Sequence, residues 1–235
     1  MTNSIADNIG SVTRRIQKAT MAAGRDIGAA RLLAVSKTRS SGDIRAAVSE
    51  GLCAFGENYL QEALDKMAEL QDLSELEWHF IGPIQSNKTR AIAEHFAWVH
   101  SVDRLKIAER LNDQRPDALP PLNICIQVNV DGENSKAGCT VNELPELAQQ
   151  ISELPRLCLR GLMAIPDPSQ SNTRLQRSFQ TLAGALAAMR KNLPDADALD
   201  TLSMGMSGDL ELAIAEGATW VRVGTALFGE RPAKS

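Results

Sequence analysis

The run Leu32-Leu33-Ala34-Val35-Ser36 leads directly into Lys37 and Thr38. A short apolar run of this kind reads as a buried strand, which puts the lysine at the strand's C-terminal end. A partly desolvated lysine loses its proton more readily, and the neutral amine is what attacks an aldehyde. A lone lysine at a strand end is ordinarily a solvated group, so its meaning depends on what faces it. Two stretches offer a counterpart: Leu202-Ser203-Met204-Gly205-Met206-Ser207-Gly208-Asp209, which opens into a helical pattern, and Trp220-Val221-Arg222-Val223-Gly224-Thr225-Ala226. Glycine lets the backbone approach a ligand closely, hydroxyls donate hydrogen bonds, and the free amides at a helix start favour an anion. Either stretch alone fits an ordinary turn, with Ser207 as a helix cap. Together they describe a cup for one phosphate.

Such residues meet only if the intervening elements bring them to one place. Short apolar runs at 32–36, 53–55, 78–81, 98–101, 123–130, 158–165, 202–204 and 220–223 predict eight strands. Helical patterns fall between them at 43–50, 59–70, 86–93, 104–112, 141–153, 171–191 and 209–216. An opening helix over 3–23 carries the stripe Ile5, Ile9, Val12 and Ile16, with Arg14, Arg15 and Lys18 on its other face. Alternating strands and helices imply a parallel sheet, and eight units match an α/β single-domain (β/α)8 TIM barrel spanning residues 1–235 with an extra N-terminal helix. An open doubly wound sheet is the alternative. No helical pattern follows the eighth strand, so the opening helix is expected to fill that gap in the outer ring. In a barrel the loops after strands seven and eight form the usual phosphate site, on the same face as Lys37. The longest loops are expected at 115–122, 130–140 and 165–171.

With 25 Lys and Arg against 29 Asp and Glu, the formal net charge is −4. A general nucleic-acid or membrane-surface binder is therefore not indicated, and an anionic ligand must be held locally. No apolar run approaches the roughly 18 residues of a spanning helix, and the basic-then-apolar layout of a signal peptide is missing, so a cytoplasmic protein is expected. Cys53, Cys125, Cys139 and Cys158 form no C-x-x-C pair and have no clustered histidines beside them, which argues against a zinc site or a disulfide framework. Cys53, Cys125 and Cys158 read as small core residues.

A strand-one lysine facing a phosphate cup suggests a phosphorylated aldehyde, with pyridoxal 5'-phosphate the obvious candidate. The segments Ala34–Thr38, Phe55–Tyr59, Trp78–Lys88, Leu202–Ser207 and Val221–Gly229 resemble those of the pyridoxal phosphate homeostasis protein family, often called YggS-like, along nearly the whole chain. That resemblance implies a barrel related to the N-terminal domain of alanine racemase, with Lys37 holding the cofactor as an internal aldimine. It also implies that Ser203, Ser207, Gly224 and Thr225 cradle the phosphate. Arg222 matches the position that approaches the pyridine nitrogen, where an always-charged guanidinium discourages protonation of the ring. Asn58 and His79, at the ends of strands two and three, are candidates for the ring's edge or face, or for scaffold.

Racemisation needs acid–base groups on both faces of the cofactor, commonly a lysine and a tyrosine. Tyr59 is the single tyrosine, and nothing in the sequence sets it opposite Lys37. The tail after Phe228 is too short to build a closing domain. The expected role is thus a non-catalytic protein that binds pyridoxal phosphate and serves vitamin B6 homeostasis, with apo forms of cofactor-dependent enzymes as conceivable recipients. The alternatives are a weak amino-acid racemase and, third, a sugar-phosphate enzyme using Lys37 on a carbonyl. Lys136, in the loop 131–138, offers a second amine near the mouth or an ordinary solvated side chain. A monomer is expected, and a weak dimer is compatible.

Overall fold

The computed structural model describes residues 4–132 and 137–230. Eight parallel strands close into a barrel in sequence order: β1 (Arg31–Val35), β2 (Ala54–Glu57), β3 (Glu77–Phe80), β4 (Trp98–Val102), β5 (Leu122–Gln127), β6 (Leu157–Met163), β7 (Thr201–Ser203) and β8 (Trp220–Val223). The ring closes through β1 and β8, where Leu33 stands opposite Arg222. Around it lie α1 (Ile5–Ala22), α2 (Ser41–Ser49), α3 (Leu60–Glu69), α4 (Thr89–His95), α5 (Leu105–Gln114), α6 (Leu144–Ser152), α7 (Asn172–Asn192), α8 (Leu210–Ala215) and α9 (Thr225–Phe228). Among the described residues no helix is long and apolar enough to cross a membrane, and no group of three or more His, Cys, Asp or Glu could hold a metal ion.

Successive strand residues point to opposite faces, so each strand serves two different layers. Outward-facing Ala34, Phe55, Phe80, Val99, Ile124, Leu162 and Val221 join the buried helix faces in one continuous apolar shell. The opening helix contributes Ile9, Val12, Ile16 and Thr20, and it starts with a capping box between Ser4 and Asp7. It packs on α2, α8 and α9, filling the gap in the ring as expected. A helix does follow β8, contrary to expectation, but α9 is a single turn and cannot cover the barrel alone.

Several boundaries moved for physical reasons. β5 stops at Gln127, and Val128, its amide still bonded to Met163 O, forms an isolated bridge to Cys139. β6 stops at Met163, and Ile165, which prolongs its apolar run, is an exposed residue at the barrel mouth. α6 begins at Leu144 rather than at 141, since Thr140 and Glu143 hydrogen-bond to each other's backbone and form a turn first. Of the three cysteines expected in the core only Cys125 is fully buried; Cys53 is exposed and Cys158 half-buried, while Cys139 is buried.

Candidate functional site at the barrel mouth

A cleft of about 280 Å³ opens at the C-terminal ends of the strands. Lys37, Asn58, Ser207, Arg222, Gly224 and Thr225 all line it, with Val35, Ile81, Ile165, Met206 and Gly208 between them. Residues separated by almost 190 positions in sequence thus face one space. Ser203, His79 and Lys136 are not part of that lining. Ser203 is fully buried in the barrel, its hydroxyl bonded to His100 Nδ1 at 2.7 Å and receiving Arg222 Nη1 at 2.9 Å, so it lies beneath the cleft floor rather than among the loops that line the cleft. His79 is likewise fully buried, stacked on Trp98 at 5.4 Å, and does not reach the mouth. Lys136 falls outside the described residues.

The turn that presents Lys37 is bolted from behind by a charged network unforeseen from the sequence. Buried Lys66 on α3 donates to Ser36 O at 2.7 Å, to Glu57 Oε1 at 2.8 Å and to Glu62 Oε1 at 2.5 Å. Ser36 Oγ donates to the same Glu57 oxygen at 2.6 Å, while the Thr38 amide donates to Glu62. Thr38 takes φ 62°, a left-handed conformation that costs a non-glycine residue about 1 kcal/mol. Burial pushes the Glu57 carboxyl above its ordinary range, with Lys66 opposing. The sequence signal for this cluster was weak, because a lysine on an amphipathic helix normally reads as solvated.

The opposite wall is made of backbone and small side chains. Gly205 sits at φ 90°, and a Cβ there would come within 2.5 Å of Ala213 Cβ. The loop beyond it is held by Asp209 Oδ1, which accepts from the Met206 amide at 2.5 Å, and by Arg15 Nη2, which donates to Ser207 O at 3.0 Å. Arg15 also forms a two-pronged pair with Glu211, so the polar face of α1 helps to hold this loop. A Cβ built on Gly208 meets nothing within 4 Å, which leaves room beside Ser207 and Thr225.

Two groups face the cleft between these walls. Arg222 is buried to 5% exposure, and burial lowers its pKa to about 10, which leaves it a cation at neutral pH. Asn58 Oδ1 is buried with no hydrogen-bond partner, an orphaned acceptor at the cleft. Gly82 permits this placement, since a Cβ there would overlap Asn58 O at 2.1 Å. Tyr59 caps α3, is 54% exposed and does not line the cleft.

Residues 7–232 match the family described as Alanine racemase, N-terminal domain. A protein of Pseudomonas aeruginosa called pyridoxal phosphate homeostasis protein is 61% identical over 97% of this chain and 96% of its own length. The chain belongs to the pyridoxal phosphate homeostasis protein family. Among solved structures similar to this family member, PipY of Synechococcus elongatus with PLP bound superposes with TM-score 0.82 at 38% identity, covering 96% of this chain and all of PipY. An alanine racemase from Corynebacterium glutamicum superposes with TM-score 0.71 at 19% identity, over 96% of this chain but 61% of the racemase, and shares the barrel fold.

Proposed function

We propose that this family member binds pyridoxal 5'-phosphate in the mouth cleft and holds it without turning over a substrate, as a cytoplasmic store in vitamin B6 homeostasis. One observation carries this reading: the cleft brings the Lys37 turn opposite the Ser207–Gly208 and Gly224–Thr225 loops across one small space. The groups present fit the cofactor. Hydroxyls and open backbone beside Gly208 suit its phosphate, Lys37 suits its aldehyde, and Arg222 with the orphaned Asn58 suits the polar ring between them. When bound, pyridoxal phosphate supplies an aldehyde that condenses reversibly with a primary amine.

The protein's part is to hold and shield. The network around Lys66 fixes the backbone that presents the Lys37 amine, and Arg15 with Asp209 fixes the phosphate loop. Arg222 is a donor only and stays charged, which disfavours a proton on the ring nitrogen and weakens the ring as an electron sink. Among the described residues lining the cleft, Lys37 and Arg222 are the groups that titrate, which supports retention over two-base racemisation. A second cavity of about 380 Å³ shares Asn58, Ile81 and Ile165 with the cleft, and would leave room for an amine beside a bound cofactor. We take apo-enzymes as the recipients and a monomer as the acting form.

The test is an absorption spectrum of the purified protein after incubation with pyridoxal phosphate, followed by borohydride reduction, peptide mapping and an amino-acid racemisation assay. A visible band, a reduced label on Lys37 and no turnover is the expected result. Turnover on the same sample replaces the reading with a racemase, and no band in excess cofactor ends it. Lys37→Ala should lose the covalent link and keep weak binding through the phosphate loops.

A further inference from the structure

A continuous chain of buried polar groups runs through the barrel interior beneath the cleft. Arg222 Nη1 donates to Ser203 Oγ at 2.9 Å, and the guanidinium is further held by Ser203 O at 2.5 Å and Ala164 O at 2.8 Å. Ser203 Oγ lies 2.7 Å from His100 Nδ1, His100 Nε2 lies 2.9 Å from His79 Nδ1, and His79 Nε2 lies 2.9 Å from Glu77 Oε1. Ser203, His79 and His100 are all fully buried, whereas the Glu77 side chain is 41% exposed at the far end of the barrel.

The two ends dictate the direction of every link. A guanidinium has only donors, so Ser203 Oγ must accept from Arg222 and its single hydrogen is free to go to His100 Nδ1. An ionised carboxylate only accepts, so His79 Nε2 carries a hydrogen. A neutral imidazole has one donor and one acceptor, so His79 Nδ1 accepts from His100 Nε2. Reversing the histidines would turn a bare His79 Nε2 toward the Glu77 carboxylate, lone pair against lone pair. Burial lowers the pKa of both rings, and the bond from His79 holds Glu77 below its ordinary range, so the charge states required are those of neutral pH. The His79 ring is also packed on two sides: it stacks on Trp98 with planes 7° apart and meets Trp220 edge-on at 5.0 Å. Arg31 covers that Trp220 ring at 3.9 Å.

We propose that Ser203, His100 and His79 are positioning residues for the cofactor's ring nitrogen, acting as a one-way hydrogen-bond chain that aims the Arg222 guanidinium at the cleft from below. This rests on the proposed binding of pyridoxal phosphate. With the phosphate in the Ser207 and Thr225 loops and the aldehyde at Lys37, the ring is left to Arg222 and Asn58. A guanidinium can meet only an acceptor there. The chain supplies that aim without spending a carboxylate at the cleft, because the compensating charge sits at the other end of the barrel on Glu77. None of the three residues touches the cleft, which is why they are positioning residues rather than catalytic ones.

The decisive comparison uses two ligands, pyridoxal phosphate and its 1-deaza analogue, which lacks the ring nitrogen and keeps every other group. His100→Phe keeps a flat ring and removes both links. It should weaken pyridoxal phosphate binding about tenfold, the scale of one lost charge-assisted hydrogen bond, shift the visible band, and leave the affinity for the analogue unchanged. His100→Asn, which returns an acceptor to Ser203, should recover most of the loss. Equal weakening for both ligands, or none for pyridoxal phosphate, overturns the proposal. A wild-type protein that takes up neither ligand overturns the binding reading and this inference with it. Nitrogen NMR on the ligand-free wild type needs no variant: both buried histidines should carry their proton on Nε2, and a proton on His100 Nδ1 overturns the chain.

Discussion

The two faces of the same eight strands follow different rules. Outward, they meet the helices in a shell that is almost wholly apolar and continuous around the ring. Inward, the apolar residues fall into two small groups, Leu33, Ile81 and Trp220 on one side and Trp98, Cys125 and Met163 on the other, with the Arg222–Ser203–His100–His79 chain between them. The shell is non-directional and owes its stability to area removed from water. The interior is directional, since each buried polar group there depends on its neighbour's orientation. The fold resides in the shell, and the site is aimed by the interior.

Phe179, fully buried on α7 in the shell, offers the sharpest break in that division. Phe179→Ala should cost about 3–5 kcal/mol of unfolding free energy while leaving cofactor affinity per folded molecule unchanged. Denaturant melts combined with a titration would check both halves, and a loss of affinity without loss of stability would collapse the distinction. Next in size is Lys66→Met, aimed at a charged island inside the shell. Removing its cation strands Glu57 and Glu62 and should cost about 3 kcal/mol, the low end for a broken buried pair, because Glu57 is already pushed toward its neutral form. Here stability and the rate of labelling at Lys37 should fall together, since the same bonds hold the turn after β1.

Acid should act through the interior rather than the shell. Burial keeps His79 and His100 neutral in the folded protein, whereas in the unfolded chain each gains a proton below pH about 6.5. A lowered folded pKa means that the unfolded state binds more protons, so stability falls as pH drops below that value. The loss is at most about 1.4 kcal/mol per histidine by pH 5.5. Around the pair stand Glu77, Arg31, Arg222 and Ser203. Glu57 and Asp209, whose folded pKa values burial raises, act in the opposite sense. Unfolding of wild type and His100→Asn at pH 7.5 and 5.5 separates these contributions. The variant should lose about 1 kcal/mol less than wild type on acidification. A pH-independent difference between the two would remove the buried histidine from the account.

The same division explains what could be read beforehand. The shell's periodicity is local: Ile9, Val12 and Ile16, or Leu175, Phe179, Leu182 and Leu186, announce a buried helix face from their spacing alone. Lys37 and the small-residue loops at Ser207 and Thr225 were legible for a related reason, because strand ends carry them and closure of the barrel puts strand ends together. The interior chain was not legible. His79 and His100 are 21 positions apart and Ser203 another 103, and their meaning lies in which nitrogen faces which oxygen across the barrel. Ser203 and Ser207 look alike in sequence, and their places on the strand separate them: one hydroxyl points into the barrel, the other residue lies beyond the strand and lines the cleft. Cys53 was misplaced for the opposite reason, since an apolar neighbourhood in sequence does not say which strand end faces water.

Arg15 tests the border between the two regions with the smallest expected effect. It sits on α1, a shell helix, yet it reaches the loop carrying Ser207 through Ser207 O and pairs with Glu211 in an exposed position. Exposed pairs contribute little, so Arg15→Ala should cost under about 1 kcal/mol of stability. Its carbonyl contact predicts more for the ligand than for the fold. Freed of that bond, the loop carrying Ser207 samples other conformations, and binding must then supply the ordering entropy. Affinity for pyridoxal phosphate should drop by about threefold, with the visible band unmoved because the ring's environment is untouched. A shifted band would mean that the cup and the ring's environment are mechanically one, and that the shell reaches further into the site than its apolar character implies.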